Sequence, residues 1–149
     1  MSKTKLSETE NNYLFNIGNR ISQGKYDLIN ETKELFPNYS QMLTHPTEGE
    51  LLKMLVKLTK SKVGVEIGTF TGYSALCFAE GLPEDGHLYC FDISKEFTDL
   101  AQKHWKLNGV DHKITLILGD ANETLGEMKE EIDFAYIDAD KVNYKKYYE

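Results

Sequence analysis

Residues 63–74, reading Val-Gly-Val-Glu-Ile-Gly-Thr-Phe-Thr-Gly-Tyr-Ser, constrain the fold more than any other stretch of this chain. Val63, Val65 and Ile67 suit a strand buried in a parallel sheet, and Glu66 stands near its carboxyl end. Gly68 and Gly72 let the backbone turn sharply and approach a ligand before a helix begins. Strand, glycine-spaced turn and helix in that order form one corner of an open α/β sheet, and such sheets bind ligands at the carboxyl ends of their strands.

The downstream pattern agrees. Strands are predicted over 63–67, 87–92, 114–118 and 132–137, alternating with helices over 72–82, 95–108 and near 123–128, punctuated by Pro83 and Gly109. This alternation predicts an α/β fold with a Rossmann-like parallel sheet. The first 61 residues read as helical. Ser7 and Glu10 have capping-box spacing ahead of Leu14, Ile17 and Ile21, with Gly24 placed to stop that helix. A second helix is expected over 28–36 before Pro37, and Thr47 with Glu50 repeats the capping spacing ahead of Leu51, Leu52, Met54, Leu55 and Leu58. One domain is expected over 1–149, helical over 1–61 and α/β over 62–149. The fourth strand is apolar at Phe134, Ala135, Tyr136 and Ile137, a run suited to a central strand covered on both faces. The sequence stops one helix later, so the sheet is expected to lack its C-terminal strands.

Charge and cysteine content narrow the partners. A net charge of -7 and a single arginine, Arg20, weigh against nucleic acid, which needs a basic surface that releases counterions. Cys77 and Cys90 are too few for a disulfide framework or a zinc pattern and are expected to be reduced and buried. No apolar run approaches the roughly 20 residues that span a bilayer, and no signal-peptide core is visible, so a cytoplasmic protein without a membrane partner is expected.

Four carboxylates, Glu66, Asp92, Asp120 and Asp138, fall at or just beyond the ends of the four predicted strands and would converge on one crevice. From the end of the second strand, Asp92 can accept hydrogen bonds from adenosine ribose hydroxyls, a geometry that serves NAD and S-adenosylmethionine alike. The turn Gly-Thr-Phe-Thr-Gly lacks the middle glycine of the dinucleotide fingerprint. Glu66 would repel a pyrophosphate and attract an ammonium or sulfonium group. Charge therefore favours S-adenosylmethionine, with an NAD(P)-dependent oxidoreductase as the alternative. Asp120 and Asn122 can equally cap the short helix that follows, and Ser94 competes with Asp92 for the cap of the helix after the second strand. The four histidines, His45, His87, His104 and His112, show no ligand spacing. Tyr144, Tyr147 and Tyr148 are expected in the core. Lys141, Lys145 and Lys146 read either as a solvated face or as an attractor for an acyl-CoA phosphate.

Three segments, EIGTFTGYSALCFAEGLPEDGHLYCFD, LGDANETL and IDADKVNYKKYY, within a likeness running from about Met42 to Glu149, resemble the metal-dependent catechol and caffeoyl-CoA type of O-methyltransferase. The resemblance implies a class I methyltransferase fold that binds S-adenosylmethionine through Glu66, Gly68, Thr69, Ser74 and Asp92. Ala121 would flank the adenine, and Met42 and Thr44 would close over the cofactor. It makes Asp138 the first ligand of a divalent cation such as magnesium, able to hold two neighbouring hydroxyls, and Lys141 the group that takes the proton or steadies the charge. It further implies a small aromatic acceptor, catechol-like or caffeoyl-CoA-like, and a homodimer. The segment Thr-His-Pro-Thr-Glu-Gly-Glu-Leu-Leu departs slightly from the usual SPEEGQFL form. Similar proteins continue with another strand and an Asp-Asn pair that completes the metal site. A truncated, cofactor-binding but non-catalytic protein is accordingly the second alternative.

Overall fold

A computed structural model describes residues 7–10, 13 and 21–148. In chain order these form α1 (Gln23–Leu35), α2 (Pro46–Thr59), β1 (Val63–Ile67), α3 (Tyr73–Gly81), β2 (His87–Asp92), α4 (Lys95–Leu107), β3 (Ile114–Leu118), α5 (Ala121–Thr124), β4 (Phe134–Ile137) and α6 (Tyr144–Tyr148). The strands make one sheet in the order β3-β2-β1-β4, every pair parallel. The chain walks outward from β1 through β2 to β3 and then returns to β1's other side. That reversal between β1 and β4 opens a crevice at the strands' carboxyl ends.

Strand alternation sorts the side chains into two layers. Leu88, Cys90, Leu116, Phe134 and Tyr136 face a core built on α3 and α4, with Leu76, Ala101 and Trp105 at its centre. Val65, Ile67, Phe91 and Ile117 face the opposite layer with Ala121. Gly64 through Ile67 are all buried, which explains why β1 reads as a run without polar alternation apart from Glu66. Both cysteines are free and buried.

Local chemistry corrects several expectations. Ser7 and Glu10 do form a reciprocal capping box, the Ser7 amide donating to Glu10 Oε2 at 2.8 Å and the Glu10 amide to Ser7 Oγ at 3.2 Å. The helix expected through Leu14 and Ile17 lies outside the described residues. Gly24 does not stop a helix; it lies in the first turn of α1 and packs against the Asn108 side chain at the end of α4, whose Oδ1 would lie 1.9 Å from an added Cβ and would have to move. His45, rather than Thr47, caps α2, its Nδ1 accepting from the Thr47 amide at 3.3 Å with Pro46 in the first turn. Strand β4 is not covered on both faces: Ala135 is exposed, Phe134, Tyr136 and Ile137 are half-buried, and among the described residues β4 pairs only with β1. Among the described residues no helix is long and apolar enough to cross a membrane.

The N-terminal helices are fastened to the sheet by polar contacts. Lys25 on α1, 1% exposed, reaches Glu50 on α2 and Glu80 on α3, and Lys53 joins the same Glu80. Thr32 on α1 donates its hydroxyl to Thr71 in the β1–α3 turn at 2.9 Å. These contacts hold α1 against the turn that forms the floor of the crevice.

Candidate functional site

The turn after β1 is set by its two glycines. Gly68 has φ +93°, and a Cβ there would lie 2.5 Å from the Asp138 carbonyl oxygen, so the end of β4 can close on β1 only beside glycine. Gly72 has φ +80° and accepts Trp105 Nε1 at 3.0 Å, with the indole occupying the space a side chain would need. Between them Phe70, not a glycine, also sits at φ +50°. Asp92 supplies the compensation: its Oδ2 accepts from the Thr69 amide at 2.9 Å and the Phe70 amide at 2.7 Å, and its Oδ1 from the Ser94 amide at 2.8 Å. Ser94 itself caps α4, its Oγ accepting from the Phe97 amide at 3.4 Å. Asp92 is thus a turn anchor and a cavity wall at once, and not the cap of α4.

A cavity of about 800 Å³ opens over this turn. Gly68, Thr69 and Ser74 line it from the turn and the start of α3, Asp92 from the end of β2 and Ala121 from the start of α5. Asp138 lines it from the end of β4, and Met42 and Thr44 from the segment before α2. The structure therefore brings together eight of the ten residues singled out from the sequence. Glu66 does not line the cavity; it is fully buried beneath Thr69 and Ser74. Lys141 is exposed and also absent from the cavity wall. Asp120 caps α5, its Oδ1 accepting from the Asn122 amide at 2.9 Å.

Sequence reasoning passed over several cavity residues. Glu48 lies in the first turn of α2 and accepts from the Tyr136 hydroxyl at 3.4 Å. Asp140, two residues beyond Asp138, takes the Tyr147 hydroxyl at 2.7 Å; this bond, with burial, pushes the phenol up to about 12. Tyr147 is thereby a half-buried cavity wall that also packs against the layer of Val65, Ile67 and Phe91, and Tyr148 is exposed. Phe97 meets Phe36, Tyr39 and Phe70 in edge-on contacts at 4.9, 5.4 and 4.8 Å, tying the segment after α1 to the turn. Phe97 was findable, since it stands three residues after a capping serine that follows a strand-end acid. The pairings of Glu48 and Tyr147 depend on how distant elements meet.

The electrostatics are one-sided. Glu48, Asp92, Asp138 and Asp140 line the cavity, and no lysine, arginine or histidine does so among the described residues. Beneath them, burial raises the Glu66 carboxyl to about 8, against the opposing influence of the Ser74, Cys90 and Thr69 side chains. Cys90 Sγ donates to Glu66 Oε2 at 3.5 Å, whereas Oε1 has no hydrogen-bond partner. The folded state therefore holds this proton more tightly than the unfolded chain does. The stability linked to Glu66 is fully present below the ordinary carboxyl range, declines as pH rises, and levels off above about 8. Relative to wild type, Glu66→Gln is expected to gain about 2 kcal/mol between pH 5 and 7 in urea unfolding. A difference independent of pH would contradict this account.

Among the described residues no group of three or more His, Cys, Asp and Glu side chains is arranged to hold a metal ion. Asp138 alone does not make a metal site, whereas the acidic cavity and the orphaned buried carboxyl oxygen suit an organic cation.

Comparison with known proteins agrees with this geometry. The O-methyltransferase family pattern matches residues 21–149. Caffeoyl-CoA O-methyltransferase of Medicago sativa is 38% identical over 144 residues, covering 91% of this chain and 58% of that protein. Tapetum-specific methyltransferase 1 of Arabidopsis thaliana is 41% identical over 128 residues, covering 80% of this chain and 55% of that protein. In fold, the chain matches the O-methyltransferase TomG of Streptomyces achromogenes, solved with SAM, at a TM-score of 0.86 and 24% identity, covering 96% of this chain and 67% of that one. The chain spans 54–62% of the length of the curated relatives it matches first. The parallel sheet with its reversal at β1, the glycine turn and a family match across nearly all the described residues lead to one assignment: this chain belongs to the O-methyltransferase family.

Proposed function

We propose that this chain forms the cofactor-binding part of an S-adenosylmethionine-dependent O-methyltransferase acting on a hydroxyl of a small aromatic acceptor, catechol-like or caffeoyl-CoA-like. The observation that carries the reading is the cavity wall, in which, among the described residues, four carboxylates and no basic side chain face a glycine turn. A sulfonium and an ammonium are attracted there, and a pyrophosphate is repelled. The family assignment also sets aside the NAD(P)-dependent alternative.

In this reading Asp92 accepts a ribose hydroxyl through Oδ1. Of the roughly four acceptor sites of a carboxylate, three already serve backbone amides, which leaves room for one further donor. Ala121 and Tyr147 flank the adenosine, and Met42 and Thr44 cover it. Methyl transfer is a direct displacement: the acceptor oxygen forms its bond to the methyl carbon as the carbon–sulfur bond breaks, and the electron pair returns to sulfur. A divalent cation such as magnesium, with Asp138 as one of its ligands, would supply a lowered hydroxyl pKa. Lys141 would take the hydroxyl proton or steady the charge. A homodimer belongs to the same reading, favoured by the exposed stripe Leu51, Met54, Leu55 and Leu58 along α2.

The test is calorimetry with S-adenosylmethionine and with NAD, followed by incubation with S-adenosylmethionine, magnesium and a catechol. Micromolar binding of S-adenosylmethionine alone and a methyl ether product are expected. Binding without product would favour the non-catalytic alternative, which the exposed position of Lys141 also suits. Tight NAD binding with none of S-adenosylmethionine would overturn the cofactor assignment.

A further inference from the structure

Resting on the cofactor reading above, we infer that Glu66 is neutral while the cavity is empty and ionises when a positively charged adenosyl cofactor arrives, so that capture of the cofactor expels one proton to solvent.

The geometry is that of a carboxyl group waiting for a counter-charge. Glu66 is 0% exposed, has the cavity-lining Thr69 and Ser74 side chains as neighbours, and keeps Oε1 without a hydrogen-bond partner by geometry. The Ser74 and Thr69 side chains, which line the cavity, are also the neighbours that favour ionisation of Glu66, although Thr69 Oγ1 also donates to the Phe91 carbonyl at 3.4 Å. An orphaned buried oxygen is costly, and a group placed so near a binding surface gains most from a ligand that restores its partner.

Among the described residues, no surrounding element offers a positive charge. On β2, Cys90 is a neutral thiol, raised well above its ordinary range chiefly by burial, and Asp92 is a second acid. On β4, Tyr136 is raised by burial and by the fields of Asp138, Glu48 and Glu66, and so stays neutral. On α3, Ser74 is the neighbour. Ionisation of Glu66 in the empty cavity would add a negative charge among acids in a desolvated place. A cation in the cavity reverses that balance, and linkage requires the effect to be mutual: ionised Glu66 strengthens the cation's binding as the cation favours ionisation.

A carboxyl that ionises only in the presence of positive charge makes the site selective for the charged methyl donor over neutral adenosyl compounds. It does so without presenting a permanent anion to solvent.

Calorimetry in two buffers of different ionisation enthalpy counts the protons released on binding. For the wild-type chain at pH 7, S-adenosylmethionine should release about one proton and neutral adenosine none. S-adenosylmethionine affinity should rise by up to about tenfold per pH unit between pH 6 and 8 and level off above, with adenosine flat. Glu66→Gln should bind S-adenosylmethionine without proton release and without the pH trend. No release from the wild type, an affinity that does not strengthen from pH 6 to 8, or unchanged release in Glu66→Gln would each overturn the inference. The wild-type pH series needs no variant and so stands even if Glu66→Gln fails to fold. A folded wild type that gives no heat with S-adenosylmethionine at any pH would overturn the cofactor reading itself, a separate result.

Discussion

Lys25→Ala is expected to lower the unfolding free energy by about 3–5 kcal/mol, the range found when one partner is stripped from a buried ion pair. Lys25 Nζ lies 2.5 Å from Glu50 Oε1 and 2.8 Å from Glu80 Oε2, and Lys53 Nζ lies 2.6 Å from the same Glu80 oxygen. Burial alone would drive this ammonium toward neutrality, but the neighbouring Cys77, Glu50 and Glu80 outweigh it and hold the group above its ordinary range. Without Lys25, two acids on facing helices share only the partly exposed Lys53. Lys25→Met, which keeps most of the apolar stem, should lose nearly as much, because the cost resides in the carboxylates left behind. Adding Glu50→Gln and Glu80→Gln to Lys25→Met should recover most of the loss. Urea unfolding measures all three proteins, and a loss below about 1 kcal/mol for Lys25→Ala would place the cluster with ordinary surface pairs. The cost should also reach the cavity, since α1 carries both Lys25 and the Thr32 contact to the glycine turn.

That cluster shows where sequence reading meets its boundary. Strands β1, β2 and β3 coincide with the predicted spans because each is a short apolar run between strong punctuation. Strand β4 begins two residues later than predicted, and its start is fixed nonlocally: the Asp133 carboxylate accepts from the Lys62 and Val63 amides at 2.6 and 2.9 Å while the Asp133 amide donates to the Val63 carbonyl at 2.9 Å. Lys25 gives no local sign of burial, because its partners lie 25 and 55 residues away and meet it only once three helices are packed. The cap of α2 was missed because an imidazole nitrogen, rather than a hydroxyl or carboxylate, serves as acceptor.

The convergence of acids on one crevice was legible, since parallel strands place their carboxyl ends along one edge. Their division of labour was not. Glu66 points into the layer between β1 and α3, in step with Cys90, whereas Asp92, at the last position of β2, emerges into the crevice. Strand parity does not separate them, because Asp92 follows Cys90 by two residues and shares its face; what differs is that Asp92 stands at the open end of its strand whereas Glu66 is covered by the turn that follows it. Lys141 lies in the turn between β4 and α6, and spacing from Asp138 says nothing about which way that turn faces.

Asp92→Ala is expected to weaken S-adenosylmethionine binding by at least about 100-fold, the equivalent of roughly 3 kcal/mol. Two losses combine. The ribose would lose a charged acceptor, worth roughly 1.5–3 kcal/mol for such a bond. The turn would lose the acceptor of three amides, one of which belongs to Phe70 at φ +50°, a conformation a bulky residue keeps only when its surroundings hold it. Asp92→Asn separates these contributions. Its amide oxygen can still serve Thr69 and Phe70, but its amino group must then face the Ser94 amide, donor against donor. Asn should therefore preserve more of the melting temperature than Ala while losing most of the affinity. If both variants bound S-adenosylmethionine as the wild type does, Asp92 would be a turn anchor only, and the ribose would have to find its acceptor elsewhere on the cavity wall.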